Sequence, residues 1–306
     1  MSILVTGAAG FVGSNIVKRL NDVGHYDIYL VDSINDKNEK NIKNVKYKDL
    51  ISKESFDAST LEKLKEIKVV FHQGAITDTT FNNEIEMMRV NYDLSVMIFN
   101  HCAFNNCSMI YASSAAVYGI GDNGFSENSF CENPLNVYAE SKLRFDNYVR
   151  SSKVNNQVVG LRYFNVFGKN EDHKLKMASP INQFYRQAKS IEKVRVFEGS
   201  QNFKRDFICV DDVVDVNMFF YENKNISGIF NCGTGQTATF QDAADMVSNQ
   251  LNVPIEEIPF PDILKGKYQS YTCADLTSLR SAGYKKEFTS FKNAAFDYID
   301  FMKNSE

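Results

Sequence analysis

The chain has 306 residues, of which 43% are hydrophobic and 24% charged, and its formal net charge is -4. This composition predicts a soluble globular protein with one large domain or two closely joined ones, and its charge balance argues against a nucleic-acid partner. No run approaches the roughly 18 apolar residues of a membrane span. Because MSILVTGAAG has no charged leader before its first predicted strand, we expect a cytoplasmic protein without a membrane partner.

The predicted elements alternate between strands and helices through the first two thirds of the chain. A helix is predicted over 11–23, where Phe11, Val12, Ile16, Val17, Leu20 and Val23 share one face. Apolar runs predict strands at 3–6, 28–31, 69–72, 109–112 and 158–163. This alternation indicates an α/β fold, a doubly wound parallel sheet of the Rossmann type, in which ligands bind at the carboxyl ends of the strands.

The pattern loosens after about residue 168. Strands are predicted at 194–198, 206–210 and 228–233, and helices at 211–222, 239–251 and 289–303, the first of them capped by Asp211. We therefore predict a main domain over 1–168 and a smaller, mainly C-terminal mixed α/β lobe over 169–306, to which a substrate would bind. Segments near 206–233 are candidates to rejoin the main sheet. The Lys- and Asn-rich stretch 35–49 is interpreted as a solvated connection.

Three glycines follow the first predicted strand in ILVTGAAGFVGS. Gly7, Gly10 and Gly13 suit a tight turn, the close approach of a pyrophosphate and the packing of a helix on a strand. Asp32 ends the second predicted strand, where a carboxylate accepts the ribose 2′-hydroxyl of NAD. Together these features predict a dinucleotide site in the main domain.

Tyr138 and Lys142 lie four residues apart on a predicted helix, in NVYAESKLRFDNYV. An ammonium beside a phenol stabilises the phenolate, which can remove an alcohol proton while hydride leaves for a nicotinamide. Upstream, in MIYASSAAVYG, a predicted strand ends at Ser113 and Ser114, so the Ser114 hydroxyl can hold the substrate oxygen.

Two further patterns concern anions and metals. The loop FGKNEDHKLKMAS contains Lys169, His173, Lys174 and Lys176, which makes it either a solvated connection or a binding site for an anion. The six cysteines have no CxxC or CxH spacing, so we expect buried reduced thiols and no metal site.

The segments TGAAGFVGS, HQGA, YASSAAVYG, YAESK and RYFNVFG together resemble the extended short-chain dehydrogenase/reductase family of nucleotide-sugar epimerases and dehydratases. The resemblance covers essentially the whole chain and implies a catalytic set of Ser114, Tyr138 and Lys142. It also implies contacts to the cofactor from Gly7, Gly10, Phe11, Val12, Gly13, Asp32, Ser33, Lys53, Gln73, Gly74, Ala75, Thr77, Asn91, Tyr138, Lys142 and Val166.

FEGSQNFKRDF and IPFPDILKGKYQSYTCADLTSLRSAGY are similar to the branch of this family that epimerises ADP-heptoses at C6 for the lipopolysaccharide core. That similarity implies an ADP-sugar substrate, a homo-oligomer that is commonly a pentamer, and Lys174 as a second acid/base group. The alternative role for Lys174 is to bind phosphate only. Implied substrate contacts are Ser114, Asn165, Lys176, Gln183, Phe197, Glu198, Gly199, Ser200, Arg205 and Tyr268.

Several alternatives remain open at this point. The branch implies NADP, whereas Asp32 favours NAD unless Ser33 with Lys37, Lys40 or Lys53 offsets its charge. A UDP- or GDP-hexose C4-epimerase or 4,6-dehydratase of the same family is the second hypothesis. Dehydratases usually carry an Asp-Glu pair after the serine, but Ala115, Ala116 and Val117 follow Ser114 here. A non-catalytic dinucleotide-binding protein is the third.

Overall fold

The computed structural model describes residues 2–64, 67–261 and 269–305. The strands are β1 Ser2–Thr6, β2 Ile28–Asp32, β3 Asp49–Ser52, β4 Ile67–His72, β5 Ser108–Ser114, β6 Val158–Tyr163, β7 Asn165–Phe167, β8 Val194–Phe197, β9 Lys204–Arg205, β10 Phe207–Cys209, β11 Gly228–Cys232, β12 Ala238–Thr239 and β13 Ile255–Ile258. The α-helices are α1 Phe11–Asp22, α2 Ala58–Lys63, α3 Glu84–Met88, α4 Leu94–Phe104, α5 Val137–Ser151, α6 Pro180–Ile191, α7 Val210–Glu222, α8 Phe240–Leu251, α9 Thr277–Ser281 and α10 Phe291–Asn304. Within these described ranges, no helix has the length and apolar character needed to cross a bilayer.

A seven-stranded sheet in the order β11-β6-β5-β4-β1-β2-β3 confirms the predicted doubly wound fold among the described residues. Every pairing from β3 through β6 is parallel. β1 lies between β2 and β4, which is the point where the strand order reverses and where this fold binds its ligands. One strand of this sheet was not predicted: β3 begins at Asp49, the last residue of the Lys-rich stretch that was interpreted as a solvated connection. The short strands β7, β9, β12 and β13 were not predicted either.

The chain divides into two compact units, each built from three segments. The first unit contains 1–117, 134–163 and 214–230, and the second contains 118–133, 164–213 and 231–306. This division differs from a single boundary at 168, because β11 lies beside β6 at the edge of the first unit's sheet. α7 also begins at Val210, so Asp211 lies in its first turn and the prediction that Asp211 caps the helix was wrong.

Each unit has its own apolar core. In the first, residues of the sheet such as Leu4, Val70 and Met109 pack with Ile98 of α4 and Phe145 of α5. In the second, α6, α8 and α10 contribute Ile181, Ala243, Ala295 and Ile299 to a cluster that includes Phe207. The three helices begin at side-chain caps from Ser179, Thr239 and Ser290, which satisfy backbone N–H groups of their first turns.

Candidate active site

The glycine turn joins β1 to α1 in a space that admits no side chain. Gly7 has a φ of +65°, and a Cβ there would lie 2.7 Å from the Gly74 nitrogen. A Cβ on Gly13 would lie 2.1 Å from the Gly7 oxygen. α1 has neither a side-chain N-cap nor an acidic residue in its first turn, so its N-terminal N–H groups and dipole suit an anion such as a pyrophosphate.

Two carboxylates lie against Ser33 at the ends of β2 and β3. Asp32 is held by backbone N–H groups, with Oδ2 accepting from Ala9 at 2.9 Å and Oδ1 accepting from Ser33 at 2.8 Å. The hydroxyls of Ser33 and Ser52 donate to Glu54, and these bonds lower the pKa of Glu54 to about 2. Lys53 comes between Ser52 and Glu54, and its backbone N–H donates to the backbone carbonyl oxygen of Asp32 at 3.2 Å.

The loop after β4 carries Gln73, Gly74, Ala75 and Thr77 and is fixed from two directions. Gly74 N–H donates to Thr6 Oγ1 at 3.1 Å. Asn91 accepts from the Ile76 N–H at 2.8 Å and donates to the Ile76 oxygen at 3.0 Å and to Ser141 Oγ at 3.1 Å. Asn91 therefore supports the loop, and its predicted contact with a cofactor stays a prediction.

Gln73 offers a donor that suits a dinucleotide. Its Oε1 accepts from the Tyr163 hydroxyl at 2.9 Å, which orients the amide. Its Nε2 is buried and has no hydrogen-bond partner within the described part of the chain. Together with the glycine turn and the N-terminus of α1, which has no side-chain cap, this buried donor fits a nicotinamide dinucleotide.

The predicted catalytic set comes together between β5 and α5 of the first unit. β5 ends at Ser114, whose hydroxyl accepts from the Ala116 N–H at 3.1 Å and lies near enough to Tyr138 to affect its pKa. Asn136 caps α5, which places Tyr138 and Lys142 one turn apart on the same face. Lys142 Nζ donates to the Ala112 oxygen at 2.9 Å.

Burial shifts the pKa values of this set. Burial raises the pKa of Tyr138, and the Ser114 hydroxyl acts in the opposite direction. Burial lowers the pKa of Lys142 to about 8, against the effect of the Asp146 carboxylate, which favours the charged lysine. The half-buried phenol and the buried amine are thus two titratable groups beside one strand end, which is an arrangement typical of acid/base sites.

In the basic loop of the second unit, residues 167–179, a buried carboxylate accepts hydrogen bonds from residues near both ends of the loop. Glu171 accepts from the Gly168 N–H at 3.1 Å, from the Ser179 N–H at 2.6 Å and from the Ser179 hydroxyl at 2.7 Å. Lys174 is half-buried, and burial lowers its pKa against the opposing effect of Glu171. Lys176 is exposed. The two loop lysines therefore have different surroundings, although they are two positions apart.

The other predicted substrate residues lie in several elements of the second unit. Asn165 is in β7, which pairs with β10, and Phe197 is in β8, with Glu198, Gly199 and Ser200 following it. Val166, which was predicted to contact the cofactor, follows Asn165 in β7. Arg205 in β9 is 5% exposed, donates from Nη1 to the Lys204 oxygen at 3.0 Å and from Nη2 to the Gln269 oxygen, and lies over the Phe240 ring. Gln183 Nε2 donates to the Ala178 oxygen at 2.6 Å, so it supports the basic loop. Tyr268 lies outside the described residues, and the predicted contacts of this set with a ligand stay predictions.

Two groups of residues at these places were not predicted. The first is the buried set of Asp146, Arg162, Tyr111 and Ser113 next to Lys142. Its sequence signal is an acidic residue four positions after Lys142 on the same helix. The second is an aromatic cluster in which Phe260 stacks on Phe203 at 5.3 Å and meets the edge of Phe197 at 5.6 Å. Both unpredicted phenylalanines come from separate segments, so no local spacing indicates their contact.

The fold and the geometry of the glycine turn, Ser114, Tyr138 and Lys142 are typical of a dinucleotide-dependent enzyme that transfers hydride. A model of the NAD dependent epimerase/dehydratase family matches residues 3–233, and the chain belongs to that family. Over 312 residues the chain is 47% identical to an ADP-L-glycero-D-manno-heptose-6-epimerase of Brachyspira hyodysenteriae, an alignment that covers 99% of this chain and 98% of the relative.

Two solved structures are similar over nearly their full length. The Helicobacter pylori ADP-L-glycero-D-manno-heptose-6-epimerase matches with a TM-score of 0.85 and 28% identity, covering 99% of this chain and 96% of that one. A UDP-N-acetylglucosamine 4-epimerase of Methanobrevibacter ruminantium, in complex with UDP-N-acetylmuramic acid, matches with a TM-score of 0.87 and 25% identity, covering 100% and 99%. These similarities confirm the predicted family and fold.

Proposed function

We propose that this protein converts ADP-D-glycero-D-manno-heptose to ADP-L-glycero-D-manno-heptose by epimerisation at C6. The observation that carries the proposal is the 47% identity, over 99% of the chain, to the Brachyspira hyodysenteriae enzyme named for this reaction. The first unit supports it, because Ser114, Tyr138 and Lys142 are suited to oxidising an alcohol and reducing a ketone. The product would supply the heptose region of lipopolysaccharide.

Ser114, Tyr138 and Lys142 have distinct parts in this reaction. A bound nicotinamide dinucleotide supplies reversible hydride transfer at C6. Tyr138 removes the proton of the C6 hydroxyl, and Ser114 holds the same oxygen by a hydrogen bond. The Lys142 ammonium stabilises the Tyr138 phenolate and thereby lowers the free energy of the proton transfer.

Epimerisation requires a second proton transfer, because the transient ketone takes its hydride back on the opposite face. We assign that transfer to Lys174. Its half-burial and lowered pKa support the role, since an amine with a lowered pKa exchanges a proton more easily near neutral pH. Lys176 and Arg205 are assigned to the ADP-sugar diphosphate, for which a planar guanidinium offers paired donors.

The test is proton NMR of C6 after ADP-D-glycero-D-manno-heptose is added to the purified protein without added cofactor. Inversion at C6 supports the epimerase and a tightly held, recycled cofactor. No inversion, even with NADP and NAD supplied, rejects the heptose assignment. The same assay with UDP-hexoses then tests a C4-epimerase, which the similarity to the Methanobrevibacter ruminantium structure favours as the second candidate.

Lys174→Ala and Lys176→Ala form a matched pair from one loop. We expect Lys174→Ala to lower kcat by about 100-fold or more, as for the loss of a general acid/base. We expect Lys176→Ala to raise KM with little change in kcat. An unchanged kcat in Lys174→Ala would assign Lys174 to phosphate binding and favour an epimerase with one acid/base residue.

For the cofactor we propose NADP, with NAD as the alternative. Lys53 supports NADP, because it follows β3 directly beside Asp32 and can meet the charge of a 2′-phosphate. Asp32 and Glu54 favour NAD, because both carboxylates lie against Ser33 and repel that phosphate. We also propose a homo-oligomer, a pentamer by resemblance to the ADP-heptose branch, for which sedimentation equilibrium is the test.

A further inference from the structure

A buried carboxylate lies one helical turn beyond Lys142 in α5. Asp146 and Arg162 are both fully buried. Asp146 accepts hydrogen bonds from the Tyr111 hydroxyl at 3.0 Å, from the Ser113 hydroxyl at 3.0 Å and from Arg162 Nε at 2.9 Å, and Arg162 Nη2 lies 2.9 Å from its Oδ2. Burial raises the pKa of Asp146, whereas the Arg162 guanidinium and the two hydroxyls, which all donate to the carboxylate, favour its anion.

These bonds attach α5 to the strand that ends at the catalytic serine. Tyr111 and Ser113 are two residues apart and so point to the same side of β5, and Arg162 is the β6 partner of Ser113. Lys142, one turn earlier in α5, donates to the oxygen of the residue between them. Two successive turns of α5, at Lys142 and Asp146, are therefore hydrogen-bonded to β5. These bonds set the position of Tyr138 and Lys142 relative to Ser114.

The same carboxylate balances a buried positive charge. Lys142 is 6% exposed, and burial disfavours its charged form. From β4, His72 faces Lys142 but is neutral, because burial lowers the pKa of His72 to about 3. Lys142, Arg162 and Asp146 together carry one net positive charge, which the Tyr138 phenolate would neutralise. Asp146 is the carboxylate that acts on Lys142 in this cluster.

We propose that Asp146 is a positioning residue, a buried counter-ion that keeps Lys142 charged and holds α5 in line with Ser114. This inference rests on the proposed function, since it concerns the same proton transfer. It assigns to the fully buried Asp146 a role in the reaction that acts through Lys142. A purely structural ion pair would instead leave the position of the pH profile of kcat unchanged.

The experiment compares the pH profile of C6 epimerisation in the parent and in Asp146→Asn. Removing a negative charge makes neighbouring groups lose protons more easily, so the limbs of the kcat profile should move to lower pH by about one unit. The maximum kcat should fall by about 10-fold, because less Lys142 is charged when Tyr138 is ionised. Tyr111→Phe and Ser113→Ala are the controls: each removes one hydrogen bond but keeps the charge, and each should keep the position of the profile.

A second variant covers the case in which Asp146→Asn does not fold because Arg162 is left buried without its partner. Asp146→Asn combined with Arg162→Met removes both charges. Because Asp146 acts on the pKa of Lys142 and the loss of the Arg162 charge opposes the effect of losing Asp146, a smaller shift in the same direction is expected. A profile that keeps the parent's position in the folded variants, whatever the loss of kcat, overturns the proposal. Absence of inversion in the parent rejects the proposed function and this inference with it, whereas an active parent with an unmoved profile rejects this inference alone.

Discussion

His72 has both ring nitrogens satisfied in its neutral form. Its Nε2 lies 2.8 Å from Ser95 Oγ, whose own proton goes to the Asn91 oxygen, so Nε2 carries the ring proton. Its Nδ1, 2.7 Å from Thr6 Oγ1, accepts from that hydroxyl, which in turn accepts from the Gly74 N–H. The neutral imidazole therefore links Thr6, at the end of β1, to Ser95 of α4, and Thr6 in turn holds the loop predicted to bind the cofactor.

This arrangement predicts an acid-sensitive stability. Burial lowers the pKa of His72 from 6.5 to about 3, so between these values the unfolded chain binds a proton that the folded chain does not. The stabilisation is complete above pH 6.5 and is lost as the pH falls toward 3, by up to about 1.4 kcal/mol per pH unit. We expect the free energy of unfolding, measured in urea, to fall between neutral pH and about pH 5 in both the parent and His72→Gln. The fall should be about 2 kcal/mol smaller in the variant. The same fall in both proteins would contradict a neutral, buried His72.

At the scale of elements, the segments beside the first unit's site combine regular and irregular backbone. Between α3 and α4, residues Arg89–Asp93 form a π-helical turn that contains Asn91. Such turns insert an extra residue into a helix and are frequent at functional sites. Here the buried Asn91 amide is bonded to the loop after β4 and to Ser141 of the catalytic helix.

The β1–α1 turn gives a test at this scale. A Cβ on Gly13 would lie 2.1 Å from the Gly7 oxygen, whereas the nearest atom to a Cβ on Gly10 would be at 3.0 Å. Gly13→Ala must therefore displace the turn that is proposed to hold the pyrophosphate, and we expect the cofactor Kd to rise by about 10-fold or more. Gly10→Ala displaces the turn less, so a loss of affinity in that variant reports the close approach of the pyrophosphate to residue 10. Calorimetric titration measures the cofactor Kd of each variant. A Kd of Gly13→Ala equal to that of the parent would argue against a dinucleotide at this turn.

At the scale of the whole molecule, neither compact unit is a continuous piece of chain. The first unit includes 214–230, although 164–213 belong to the second unit. Within the first unit, Arg19 of α1 forms a salt bridge with Asp215 of α7. The Tyr163 hydroxyl likewise receives a hydrogen bond from Asn217 at 2.9 Å and donates to Gln73. Residues far apart in sequence therefore support the proposed cofactor site.

Binding of a cofactor should raise the thermal stability of the protein, since a ligand that binds only the folded state shifts the unfolding equilibrium. At a hundredfold excess over Kd the gain is about 2.7 kcal/mol, which corresponds to a rise in Tm of about 4 °C for a chain of this length. We expect NADP to give the larger shift at equal concentration. A larger Tm shift with NAD would show that repulsion of the 2′-phosphate by Asp32 and Glu54 outweighs its attraction to Lys53. In that case Lys53→Ala would change the Tm shift little.

The sequence by itself determined the features that depend on short spacing. Periodicity within single segments predicted the parallel sheet and α1, and the glycine spacing predicted the turn whose tight packing the structure shows. The four-residue separation of Tyr138 and Lys142 was enough to place them on one helix face, because an α-helix brings such positions together.

Only the tertiary structure decided which distant segments meet. β3 has four residues beside a Lys-rich stretch and is a strand because β2 pairs with it, and 118–133 and 214–230 are assigned to their units by contacts, not by sequence position. The partners of Asp146 come from β5 and β6, so the charge balance around Lys142 depends on strand pairing. Local periodicity carries no information about such pairings, which form only when the sheet is assembled.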